Sequence, residues 1–173
     1  MKTSRKTVIA HVDDDPIILD MIRLVLSQNK NFELKSYNTG EEFLRSITSI
    51  NKPDILIVDY FLNSKIPTAM SGKDIITIFR NRGDNIPIIV ISSQKKLEVA
   101  LDLLKLQVVD YIEKTGEFTT KIMASIEGII NIKLIKKKKK HATNFIEKDT
   151  KHLIAALGVL TIISISSFLL SLI

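Results

Sequence analysis

The run Pro53-Asp54-Ile55-Leu56-Ile57-Val58-Asp59-Tyr60 decides how this chain is read. Four consecutive apolar residues, three of them β-branched, end in a carboxylate. A short run of this kind reads as a strand buried on both faces, as in a parallel sheet. Open α/β sheets bind ligands outside the carboxyl ends of their strands, which is where Asp59 falls.

The same pattern recurs on both sides. Upstream, residues 7–12 read as a strand that runs into Asp13-Asp14-Asp15-Pro16. Pro and acidic residues suit a first helical turn, so a helix is expected over 16–28, with Ile18, Met21, Ile22, Val25 and Leu26 at helical spacing. Residues 32–37 read as a second strand and 41–50 as a second helix. Downstream come a loop at 60–71, a helix at 72–82 capped by Gly83, and an apolar strand at 86–91 interrupted by Pro87. A helix at 95–107, a strand at 108–112 ending in Glu113-Lys114, and a helix at 117–135 complete the series. Five alternating βα units predict an α/β fold: a doubly wound, flavodoxin-like parallel sheet of five strands, order 2-1-3-4-5.

Charge divides the chain. Residues 1–130 carry 17 Lys and Arg against 17 Asp and Glu, whereas residues 131–173 carry eight Lys against Glu147 and Asp149. The net charge of +6 therefore belongs to the tail. The absence of Cys excludes disulfides and thiolate metal sites. The polar start of the chain, with His11 and Asp13 breaking the first apolar run, does not read as a signal peptide.

In the predicted sheet, strands 1 and 3 are neighbours, so Asp13, Asp14 and Asp59 converge at one end. Close carboxylates repel unless a cation joins them, and an all-oxygen donor set suits Mg2+. Lys114 and the Ser92 hydroxyl would face the same spot from strands 5 and 4. A carboxylate between a metal and an ammonium can act as a nucleophile toward phosphorus. Taken singly, each signal has an ordinary explanation: Asp-Asp-Pro caps helices, a strand-end Lys is solvated, and Ser92 is a turn residue.

Together, Val12-Asp13-Asp14-Asp15-Pro16, the Asp59 strand, Ile91-Ser92-Ser93 and Asp110-Tyr111-Ile112-Glu113-Lys114 resemble the motifs of response-regulator receiver domains, over roughly residues 5–130. Asp59 lies 45 residues after Asp14, and Lys114 lies 22 after Ser92, close to the family's spacing. The resemblance implies a phospho-acceptor at Asp59 and a direct Mg2+ ligand at Asp14. It implies a water-mediated ligand at Asp13 and a further ligand in the carbonyl of Phe61. It makes Ser92 the switch hydroxyl, Tyr111 the aromatic that reports switching, and Lys114 the phosphate partner. Phe61 and Gln94 flank the site, and an apolar Phe61 would hinder water attacking the acyl phosphate. The chain departs from the family pattern in three places. Thr115 replaces the usual Pro after the Lys, the loop between Asp59 and Gly72 is long, and Gln107-Val108 replaces a small-residue pair.

Beyond the receiver region (residues 1–135), residues 136–152 read as a polybasic juxtamembrane linker opening on Lys136 to Lys140. Residues 153–173 carry no charge, and 21 residues of helix span about 31 Å, enough for a bilayer core. The expectation is a single-pass transmembrane helix acting as a tail anchor, with the N-terminus on the cytoplasmic face and the lysines near anionic headgroups. Ser164, Ser167 and Ser171 share one face and would let a homodimer pack closely. Without interleaved aromatics, the lysines are not read as a nucleic-acid patch.

The chain thus reads as a membrane-tethered, non-enzymatic receiver, phosphorylated by a sensor histidine kinase or phosphotransfer protein and acting on a downstream protein. A non-phosphorylated adaptor is the alternative. An Asp-nucleophile phosphohydrolase would need an acid two residues after Asp59, where Phe61 stands.

Overall fold

The computed structural model describes residues 5–48, 51–62, 68–93 and 97–170, without the side chains of residues 97, 98, 100, 141, 146, 148 and 152–170. Strands and helices alternate: β1 (Thr7–Val12), α1 (Pro16–Ser27), β2 (Phe32–Tyr37), α2 (Gly40–Ser46), β3 (Ile55–Asp59), α3 (Gly72–Asn81), β4 (Ile88–Ser92), α4 (Leu97–Lys105), β5 (Asp110–Glu113) and α5 (Phe118–Leu170). The strands form one sheet in the order β2-β1-β3-β4-β5, with every neighbouring pair parallel. This is the flavodoxin-like order expected from the alternation. β1 pairs with β3 from Ile9↔Ile55 to Val12↔Val58, so the two strands end level with each other.

Side-chain alternation sorts the strands into two faces. Ala10, Val12, Leu56, Val58, Ile88 and Val90 form one core with Phe43, Ile75, Ile76, Phe79, Val99 and Leu103 of α2, α3 and α4. Ile9, Ile55, Ile57, Ile89 and Ile91 point the other way and are equally buried. The buried residues of α1 (Leu19, Ile22, Leu26) and α5 (Phe118, Ile122, Ile126) complete that side. By the same alternation, His11, Asp13 and Asp59 belong to this second face. β3 and β4 are buried at every position, which is why both read as unbroken apolar runs.

Several boundaries differ from the sequence expectation. β4 starts at Ile88 rather than 86, because Pro87 has no N–H and contributes only its carbonyl, which accepts from Leu56 N at 3.0 Å. α2 ends at Ser46, whose hydroxyl bonds back to Phe43 O while Ile47 turns extended. β5 starts at Asp110, two residues late, because residues 106–108 are used to terminate α4. α5 does not stop near residue 135. No Gly or Pro occurs between Gly128 and Gly158, and Lys is a good helix former.

The helix ends explain two special positions. After α3, Asp84 N bonds to Phe79 O and Gly83 N to Arg80 O, with Gly83 at φ 74°. This is a Schellman motif, in which glycine supplies the left-handed residue. α4 ends in the same way, Val108 N to Leu103 O and Gln107 N to Leu104 O, but the left-handed residue is Gln107 at φ 52°. The Arg80 guanidinium ties these turns together. It donates to Leu106 O at 2.8 Å, Gln107 O at 3.0 Å, Asp84 O at 2.8 Å and Ile86 O at 3.3 Å. The departure noted at Gln107-Val108 is thus a glycine-like turn built with a side chain.

Gly72 opens α3 behind a capping box between Ser71 and Asp74. A Cβ there would lie 2.1 Å from Asp59 O, so α3 can approach the end of β3 only with glycine at this position.

The chain divides into two compact units, residues 1–129 and 130–173. In the second, every described side chain of 131–151 is exposed, with Lys151 and Glu147 paired at 2.7 Å. The predicted membrane span, residues 153–173 with Ser164, Ser167 and Ser171, lies outside the residues whose side chains are described. Among the described residues, no helix is long and apolar enough to cross a membrane.

Two outcomes follow from the turns. Gln107→Gly relieves the left-handed strain and is expected to stabilise the fold by about 0.5–1 kcal/mol, seen as a rise in Tm of about 3 °C. Gly72→Ala forces the backbones of α3 and β3 apart and is expected to destabilise by about 2 kcal/mol or more, seen as a lower urea midpoint.

Candidate functional site

The groups at the carboxyl ends of β1, β3 and β5 meet because the sheet order places β1 beside β3, with β5 two strands beyond β3 across β4. Asp59, the last residue of β3, is nearly buried, and Tyr60 N anchors the strand end to Ile91 O at 2.9 Å. Its Oδ1 accepts from Phe61 N at 3.2 Å, and its Oδ2 meets Lys114 Nζ at 2.8 Å. Asp13 follows β1 directly and is fully buried. Its Oδ1 accepts from Asp15 N at 3.0 Å, and its Oδ2 lies 2.9 Å from the same Lys114 Nζ. One ammonium is therefore shared by two carboxylates.

Burial and the neighbouring charges set the protonation of this trio. Burial pushes the Asp59 carboxyl above its ordinary value and Asp13 adds to the effect, while Lys114 opposes it without cancelling it. Burial acts on Asp13 in the same sense, but the adjacent His11 ring and the Lys114 ammonium more than offset it, and its pKa falls. Burial lowers the Lys114 pKa, yet the two carboxylates outweigh burial and hold it above the usual lysine value. Asp13 and Lys114 are thus held in their charged forms.

Asp14 completes the acidic group. One oxygen from each of Asp13, Asp14 and Asp59 lies within 4.8 Å of the others, and among the described residues this is the acidic group compact enough to hold an ion. A donor set of carboxylate oxygens at a partly open strand end fits a hard cation such as Mg2+, which keeps several waters of its own.

The structure also locates the remaining predicted residues. Ser92 closes β4, fully buried, with its carbonyl accepting from Lys114 N at 2.7 Å. Its strand neighbours Asp59, whose Cα partner is Ile91. Tyr111 lies on β5 opposite Val90, half-buried against the α2–α3–α4 core with Tyr60 and Phe61. The Phe61 ring meets Tyr60 edge-on at 5.0 Å, and its amide already serves Asp59. Gln94 lies outside the described residues. At Thr115, where the family usually has Pro, the amide donates to Glu113 O at 2.8 Å, a bond that proline could not make.

One residue of the site was missed. In the sequence His11 reads only as a break in an apolar run. In the sheet it is fully buried, with Nε2 3.7 Å from Asp13 Oδ2. Burial depresses its pKa. The signal was available: residues two apart on a strand share a face, so a polar residue at 11 lies directly behind Asp13.

Comparison with known proteins gives the same picture. Residues 9–127 match the family described as the response regulator receiver domain. The chain is 28% identical over 107 residues to the transcriptional regulatory protein MalR of Bacillus subtilis, covering 62% of this chain and 43% of that protein. It is 32% identical over 116 residues to the transcriptional regulatory protein FixJ of Rhizobium meliloti, covering 65% and 52%. The chain thus spans about half the length of the curated relatives it matches. Among solved structures, a response regulator receiver domain protein from Clostridium thermocellum aligns with a TM-score of 0.62 at 25% identity, covering 75% of this chain and 98% of that one. A receiver protein from Pseudoalteromonas atlantica shares the fold with a TM-score of 0.62 at 22% identity, covering 72% and 97%. Matched by its motifs, its strand order and most of its length, the chain belongs to the response regulator receiver domain family.

Proposed function

We propose that Asp59 accepts a phosphoryl group from a phosphohistidine on a sensor histidine kinase or phosphotransfer protein. The observation that carries this reading is the single Lys114 ammonium held between Asp59 and Asp13 beside an acidic cluster. An oxygen of the ionised Asp59 attacks phosphorus. The new P–O bond forms as the P–N bond breaks, and its electron pair returns to the donor imidazole nitrogen. Lys114 follows the negative charge onto the phosphoryl oxygens, and the Ser92 hydroxyl turns toward them. Asp13, Asp14, Asp59 and the Phe61 carbonyl would hold Mg2+, which when bound offsets the charge that builds on the transferring group. Tyr111, beside Tyr60 and Phe61, would follow Ser92 in switching.

The chain is read as a signalling module rather than an enzyme, since the group it would receive stays on its own side chain. Its output would be contact with a downstream protein or onward relay. Residues 153–173 would tether it to the cytoplasmic face of a membrane, with Lys136 to Lys140 against anionic headgroups. The 21 uncharged residues and the exposed lysine run support this part.

Two experiments test the reading. The full chain, purified in mild detergent, is incubated with a small phosphodonor and Mg2+. Intact mass should show one added phosphoryl group, absent in Asp59→Asn. No adduct, under conditions that label another receiver, would leave the adaptor reading. After cell lysis, the full chain should pellet with membranes and resist a high-salt wash, while deletion of 153–173 should move it to the supernatant. A full chain found in the supernatant would overturn the tether.

A further inference from the structure

His11 occupies a position where its chemistry is out of place. Its neighbours on the same strand face are Ile9 on its own strand and Ile57, its Cα partner on β3, both fully buried, and Ser36, its partly buried Cα partner on β2. An apolar residue there would need no partner. The imidazole does need one, and neither of its ring nitrogens has a hydrogen-bond partner among the described residues. Such an unsatisfied buried ring is costly. The charged group it approaches is Asp13 Oδ2, 3.7 Å from Nε2, somewhat too long for a hydrogen bond as it stands. That same oxygen is the one that Lys114 contacts at 2.9 Å.

These two contacts are linked through charge. Lys114 is divided between Asp13 Oδ2 and Asp59 Oδ2. When a phosphoryl group forms on Asp59, as the proposed function requires, Lys114 is drawn to it and Asp13 Oδ2 loses its partner. A fully buried carboxylate oxygen left in that state has nothing to hold it in position.

We propose that His11 is a positioning residue for Asp13, holding Oδ2 with its Nε2–H both beside Lys114 and after Lys114 turns to the phosphoryl group. With Oδ2 held from behind, the Asp13 carboxylate keeps its orientation toward the cation site. The cation site rests on the proposed function; the His11–Asp13 hydrogen bond does not. The arrangement is a second layer of contact behind a ligand carboxylate, and removing such a contact weakens metal binding by about 10–100-fold.

The test uses the full chain in mild detergent. Mg2+ affinity is measured by calorimetry for wild type, His11→Val and His11→Gln. Valine matches the apolar neighbours and removes the donor, whereas glutamine keeps an N–H. His11→Val should melt no lower than wild type and bind Mg2+ about tenfold more weakly, with His11→Gln recovering most of the loss. A folded His11→Val that binds Mg2+ like wild type would overturn the proposal. A second measurement needs no substitution at 11. In a His141→Gln/His152→Gln chain, His11 is the remaining histidine, and 15N NMR reads its tautomer directly. The proposal requires the proton on Nε2; a proton on Nδ1 alone would overturn it, whether or not Mg2+ binds. Should wild type fail to bind Mg2+, the metal reading fails while the tautomer still decides the role of His11.

Discussion

The site depends on one ammonium placed between two buried carboxylates. Lys114 meets Asp59 and Asp13 at 2.8 and 2.9 Å, and its charge opposes the burial that disfavours ionising either acid. The rest of the receiver fold exists to bring these groups together. Asp13 comes from the end of β1, Asp59 from the end of β3 and Lys114 from just beyond β5. Only a sheet in which β1 and β3 are adjacent and end level makes the acids neighbours. The hydrogen bond from Lys114 N to Ser92 O then fixes the root of the lysine at the end of β4.

Two backbone devices tighten this geometry from a distance. Gly72 lets α3 start against the carbonyl of Asp59, so the acceptor strand and the helix behind it share a boundary with no room for a side chain. Arg80 spans from α3 to the turn after α4 and holds the left-handed Gln107 through carbonyl contacts. That turn leads directly into β5, whose far end carries Lys114. Both devices concern packing, and both end at elements that present a charged group of the site.

Strand positions were legible where an apolar run or a weak alternation is bounded by turn residues. β1 and β2 fall at 7–12 and 32–37, and β3 at the run that ends in Asp59, as read from pattern alone. The errors have local causes. Pro87 looks apolar but cannot donate to a ladder, so β4 starts later than its hydrophobicity suggests. Val108 and Val109 look like strand residues, but the first closes the end of α4 and the second bonds to Ile88 O before the strand begins. The last helix runs past its apolar stripe because helix formation tolerates lysine, and periodicity marks only where a helix is buried.

By itself, the sequence determined which residues end the strands, because period and turn chemistry are local properties. It determined the acids, the lysine and the serine, and through them the family. What it could not determine is what stands behind each residue. The 3.7 Å approach of His11 to Asp13, the Gly72 contact with the Asp59 carbonyl and the sharing of Lys114 between two acids all join groups through space. Such contacts depend on distances of a few ångströms between atoms of different elements. Those distances are fixed only when the sheet register and both packed faces are in place.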